Sequence, residues 1–133
     1  MSEENIEIVR RIWKADREHD VEAVQAAYAP DAVWEDNTGL WGDWGTPRGP
    51  EGIQAAWRRW YEAFEEVQFE WDEVADAGDD VVVTYRTKAR GRGSGAVVDQ
   101  AITLLWTLRA GKVVHIRSYA DRSDALTAAG LWE

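Results

Sequence analysis

The sequence predicts an α+β fold, a cone-shaped barrel in which a curved, mixed or antiparallel β-sheet packs on three helices from the N-terminal half, followed by a short C-terminal helix. Three observations predict it. Apolar residues recur at helical spacing in the first half, four long strand-like runs fill the second half, and the connectors between those runs are short enough to be hairpins. Long antiparallel strands with helices on one face make a layered α+β arrangement, and such a sheet curls until its concave face and the helices enclose a cone.

Each element has its own signal. Over residues 4–17, Ile6, Val9, Ile12 and Trp13 form an apolar stripe, with Glu3 and Glu4 at the positive end of the helix dipole. Asp20 is placed to cap a shorter helix carrying Val21, Val24 and Tyr28, and Pro30 stops that helix because the residue before proline avoids helical geometry. Residues 32–36 read as a strand, followed by a loop containing Gly39, Gly42, Gly45 and Gly49. Pro50 suits the first turn of a third helix. Its Ile53, Trp57, Trp60 and Phe64 recur at i, i+4, i+7 and i+11, a face that must be buried against something broad and flat. Residues 69–75, 81–90, 96–108 and 113–121 read as strands, and Ser123 can cap a last helix over 124–129 that Gly130 ends, with Asp121 and Arg122 as a strand-end and capping pair.

A length of 133 residues implies one domain over residues 1–133, large enough for a real core. With 15 basic and 25 acidic residues the formal net charge is −10, which repels phosphate backbones, so neither nucleic acid nor an anionic membrane is an expected partner. The chain has no cysteine, hence no disulfide, thiol nucleophile or thiolate metal site. Its two histidines, His19 and His115, have no carboxylate at metal-ligand spacing, and no glycine fingerprint runs from a strand into a helix, so neither a metal nor another cofactor is expected. The acidic start argues against a secretory signal and no stretch is long enough to span a bilayer; the expected location is cytoplasmic.

The candidate site begins where residues 32–36 end. Asp36 follows Trp34 on the same strand face, with Glu35 on the other, and a carboxylate among large apolar rings has its charged form disfavoured, as a general acid or base near neutrality requires. The competing reading is a solvent-exposed turn former, since Asp commonly follows strands. Nine tryptophans are far more than a core of this size requires. Trp13, Trp34, Trp41, Trp44, Trp57, Trp60 and Trp106 are the candidate wall for a small hydrophobic, flat or polycyclic molecule, while Trp57 and Trp60 at helical spacing equally fit a core role.

The segments Pro30-Asp31-Ala32-Val33-Trp34-Glu35, Arg48-Gly49-Pro50-Glu51-Gly52-Ile53, Ala77-Gly78-Asp79-Asp80-Val81-Val82-Val83 and Trp106-Thr107-Leu108-Arg109-Ala110-Gly111-Lys112-Val113-Val114 resemble those of SnoaL-like proteins. That family lies in the superfamily named after nuclear transport factor two, and the likeness runs in order over essentially the whole chain. The superfamily spans cyclases, isomerases, hydrolases and members that bind without chemistry, so activity has to be argued from the pocket. The resemblance places Asp36 where ketosteroid isomerases carry their base. It turns Arg86 and Lys88 into the pocket, Arg86 as an electrophilic or orienting group, and puts Leu104 and Ser118 where cyclases carry a His and an Asp. It also implies a homodimer built on the outer sheet face bearing Arg117 and Tyr119. The isomerase oxyanion donors fall near Ile12 and near Thr103 or Leu104, where this chain has no equivalent. Three readings follow: acid/base chemistry such as isomerisation, cyclisation or hydration on a small hydrophobic molecule; binding of such a molecule without turnover; and an interaction module with a filled cone.

Overall fold

The computed structural model describes residues 2–38 and 45–131. In chain order the elements are α1 (Ser2–Arg17), α2 (Val21–Ala26), β1 (Tyr28–Asp36), α3 (Gly49–Ala63), β2 (Phe64–Ala77), β3 (Asp80–Gly91), β4 (Val97–Arg109), β5 (Lys112–Tyr119) and α4 (Arg122–Ala128). The strands form one sheet in the order β1-β5-β4-β3-β2, with β1 parallel to β5 and the other neighbours antiparallel. This is the expected α+β architecture with a mixed sheet.

Several boundaries differ from expectation, Phe64 opening β2 where the third helix was expected to continue and β2 running over Phe64–Ala77; two of the differences have clear local reasons. Tyr28 belongs to β1 and not to the second helix, which ends at Ala26 because the Ala27 carbonyl already accepts from Val113 N–H at 2.9 Å and Tyr28 pairs with Val113. The cap of α4 is Asp121 and not Ser123: its Oδ1 accepts from the backbone N–H of Ser123 at 2.9 Å and from its hydroxyl at 2.8 Å. Asp20 caps α2 as expected, accepting from Ala23 N–H at 3.2 Å. The β4–β5 turn holds Ala110 and Gly111 at φ +52° and +79°, the two positive values that a tight primed hairpin turn demands.

The core lies between the sheet and α1, α2 and α3. Val9, Ile12, Val24, Ile53 and Trp60 from the helices meet Val81, Val83, Leu104, Trp106 and Ile116 from the strands, each buried. Each such side chain contributes ~1.5–3 kcal/mol of hydrophobic burial. A smaller cluster on the opposite face joins Val82 and Leu105 to Ala125 and Leu126 of α4. An irregularity of register between Trp71 and Glu73 lets β2 serve both faces. Phe69 and Trp71 pack into the main core, whereas beyond the bulge Ala75 packs under α4 and Glu73 Oε2 lies 2.9 Å from Arg122 Nε.

Leu105 is fully buried beneath α4. Leu105→Ala is therefore expected to lower unfolding stability by ~2–5 kcal/mol. Urea denaturation measures this directly, with the denaturant slope unchanged if only packing is lost.

Candidate functional site

The helical stripe of α1 does not end at Trp13. Asp16 continues it, seven residues beyond Val9 and four beyond Ile12, so folding carries a carboxylate to the edge of the core. On α3, Tyr61 lies four residues after Trp57 and faces α1, and its hydroxyl donates to Asp16 Oδ2 at 2.7 Å. Asp16 is half-buried, and burial holds its carboxyl above the usual carboxylate value of 3.8, against the opposing effects of the Tyr61 hydrogen bond and nearby His19. The Tyr61 hydroxyl is pushed up by burial, by the Asp16 charge and by the bond to Asp16.

Behind this pair lies an apolar cavity of about 40 Å³. Ile12, Trp13 and Asp16 of α1, Val24 of α2 and Trp57 of α3 line one side; Tyr28 of β1, Tyr85 of β3, and Leu104 and Trp106 of β4 line the other. Asp16, Val24 and Trp57 also line an outer groove of about 350 Å³ that runs past His19, Gln54, Arg58 and Tyr61. Asp16 thus stands on the rim shared by both. The Tyr28 hydroxyl sits near Trp57 and the Tyr85 hydroxyl near Trp106, and burial pushes both phenols up, so they remain protonated. Tyr28 Oη, Tyr85 Oη and Trp106 Nε1 are buried without a partner in full hydrogen-bond geometry.

The residues expected at the site are divided by this arrangement. Trp13, Trp57, Leu104 and Trp106 come together around the cavity. Trp34 is buried, stacks on Trp57 at 4.7 Å and 16°, and donates its indole N–H to Ser118 Oγ at 2.6 Å, so Ser118 is committed to a core contact. Trp60 packs between Phe64 and Phe69 in the core. Asp36 is not among the cavity-lining residues: it closes β1, its Oδ1 accepting from Thr38 N–H at 2.9 Å and Thr38 Oγ1 at 2.6 Å. Trp41 and Trp44 lie outside the described residues.

Arg86 and Lys88 require a correction. Both lie on the outer sheet face and are exposed, and Arg86 Nη2 is 3.8 Å from Asp99 Oδ1. The face that enters the cone is the alternate set Val81, Val83, Tyr85, Thr87 and Ala89, because turning the other set inward would strip water from two cations. The flat or polycyclic ligand expected from the tryptophan count also fails to fit the cavity as it stands. A site for a drug-sized ligand occupies ~300–1,000 Å³, and here the rings fill the cone more than they line it. The sequence reading missed Asp16, Tyr61, Tyr28 and Tyr85. Asp16 had a signal, a charge on an apolar helical stripe, and Tyr85 had one in its alternation with Val81 and Val83. Among the described residues no group of three His, Cys, Asp or Glu side chains is placed to hold a metal ion, and no helix is long and apolar enough to cross a membrane.

Two outcomes follow from this geometry. A carboxyl held above its unfolded value binds its proton more tightly in the native state, so its contribution to stability is complete at low pH and is lost as pH rises through the native pKa. Asp16→Asn, which keeps an acceptor for Tyr61, should raise the melting temperature at neutral pH, with the gain vanishing near about pH 4. Conversely, Arg86→Ala should cost less than ~1 kcal/mol in denaturant unfolding, as expected of an exposed ion pair.

The comparisons agree with this architecture. The sequence model of the SnoaL-like domain matches residues 9–116. No curated protein sequence matches the chain. Among solved structures, an NTF2-like protein of Burkholderia thailandensis is 27% identical, with 96% of this chain and 98% of that chain covered and a TM-score of 0.78. A proposed polyketide cyclase of Sinorhizobium meliloti is 26% identical over 85% of this chain and 94% of that chain, with a TM-score of 0.70. A protein of Catenulispora acidiphila with a ketosteroid isomerase-like fold, in complex with trimethylamine, shares the fold at 22% identity, covering 96% of this chain and 97% of that chain with a TM-score of 0.73. A match over most of the sequence, joined to helices on the concave face of a mixed five-stranded sheet, means that this chain belongs to the SnoaL-like domain family.

Proposed function

We propose that the protein takes a small, largely hydrophobic molecule into the aromatic cavity and that Asp16 meets its polar atom as proton acceptor or donor. One observation carries the reading: the half-buried carboxyl of Asp16, steadied by Tyr61 at 2.7 Å, stands where the inner cavity and the outer groove join. Burial shifts its proton affinity toward the range useful for general acid/base work, and Tyr61 fixes its orientation. The chemistry supported is proton transfer of the isomerisation, cyclisation or hydration type. A ligand filling the cavity is held to a few heavy atoms, because about 40 Å³ is far below the ~150 Å³ of a cavity that takes a benzene ring. The trimethylamine complex of the Catenulispora acidiphila protein supports small-ligand binding by this fold.

A second reading, binding without turnover, is favoured by one feature. Among the described residues lining the cavity, Asp16 is the only carboxylate and there is no histidine, so a second acid/base group that changes charge near neutrality is missing from the wall.

Tryptophan fluorescence titrated with small ketones, alcohols and amines, with product analysis of every compound that saturates, tests both. For an acid/base enzyme, Asp16→Asn should lower turnover by ~10²–10⁴-fold, while ligand affinity changes far less. Saturation without conversion in the natural protein establishes the second reading, and turnover that survives Asp16→Asn removes Asp16 from the chemistry.

A further inference from the structure

We propose that the inner cavity is a cation site, built to take a compact alkylammonium group. The proposal rests on the reading of this cavity as the ligand site and is independent of turnover.

Charge and ring chemistry point the same way. Five aromatic side chains, Trp13, Tyr28, Trp57, Tyr85 and Trp106, supply most of the wall, and among the described lining residues Asp16 is the one formally charged group. Ring faces carry the negative part of the aromatic quadrupole, and their attraction for a cation grows when water is excluded. A cation taken out of water must also find a counter-ion, and Asp16 at the rim is one. Among the described residues that line the cavity there is no lysine, arginine or histidine; the Arg17 head lies over the Trp13 ring from outside. An anion would meet the Asp16 carboxylate, with no cation among the described residues lining the cavity to offset it.

The same protein already uses ring faces in this way, one of them that of Trp13 on the cavity wall. The Arg17 guanidinium lies 4.7 Å from the Trp13 ring centroid, and that of Arg10 lies 4.9 Å from Trp71. Both are long surface side chains whose heads stay outside the cone, whereas a cavity of about 40 Å³ selects a cation of only a few heavy atoms. Methyl groups on nitrogen would lie against the rings. A remaining N–H would donate to Asp16, and the buried oxygens of Tyr28 and Tyr85, which have no partner in full hydrogen-bond geometry, offer further acceptors. The net charge of −10 raises the concentration of cations around the protein as a whole.

The test compares trimethylammonium chloride with 2-propanol, a neutral molecule of similar size, by tryptophan quenching and calorimetry at constant ionic strength. Trimethylammonium should bind at least about tenfold more tightly than 2-propanol. Asp16→Asn should abolish most of that preference. Trp57→Leu, which keeps the charge and removes one ring, should weaken the cation about tenfold and the alcohol little, and it reads the ring contribution even if the Asp16 variant folds poorly. If 2-propanol saturates as tightly as the cation, or both variants leave the preference unchanged, the cation assignment is overturned while the cavity remains a ligand site. If neither compound saturates, the reading of the cavity as a ligand site falls with it.

Discussion

A β-strand has two faces, and in this molecule three helices cover only one face of the sheet. On β3 the choice lies between Val81, Val83, Tyr85, Thr87 and Ala89 on one side and Val82, Thr84, Arg86 and Lys88 on the other. Desolvating Arg86 and Lys88 without partners would cost several kcal/mol per charge, so the uncharged set turns inward. Register then transmits that choice across the sheet: Val83 faces Leu104, Val81 faces Trp106, and Leu104 in turn faces Ser118. The placement of Tyr85, Leu104 and Trp106 around one cavity is a consequence of that single orientation.

Crowding sets the next level. Trp34 stacks on Trp57, and Trp60 packs with Phe64 and Phe69, between the helices and the sheet. What remains is a small hollow with polar atoms on an otherwise apolar wall. The outer face follows different rules. α4 covers an apolar part of it, and the bulge between Trp71 and Glu73 lets β2 serve the main core along one stretch and α4 along the next.

Asp16 sits where these two demands collide. Its position on α1 is fixed by the same helical repeat that buries Val9 and Ile12, so the carboxyl is drawn toward the core whether or not its charge is welcome there. Tyr61 supplies one hydrogen bond and His19 a favourable charge, but burial outweighs both and the proton is held more tightly than in water. A group left in that condition at the junction of a cavity and a groove is more readily explained by a ligand than by stability, since a buried carboxylate weakens the fold as pH rises.

The amino-acid sequence by itself determined the kinds of element and their order. Helical spacing of apolar residues, Asp20 at a cap and glycine-bearing hairpin turns are local signals, and local signals survive without knowledge of neighbours; Pro30, expected to stop the second helix, lies instead inside β1. The family likeness, carried by short segments in order, was legible for the same reason. Tertiary structure alone decided the facing of β3, the end of α2 at Ala26 and the conversion of Asp16 from a helix residue into a cavity residue. Alternation along a strand shows that two faces exist but not which one the helices will cover. The pairing of Tyr28 with Val113 and the meeting of Tyr61 with Asp16 join residues 85 and 45 positions apart, and no local pattern records such contacts. Asp36 and Asp16 were both carboxylates beside tryptophans in the sequence; packing made one a turn and placed the other on the rim of a cavity.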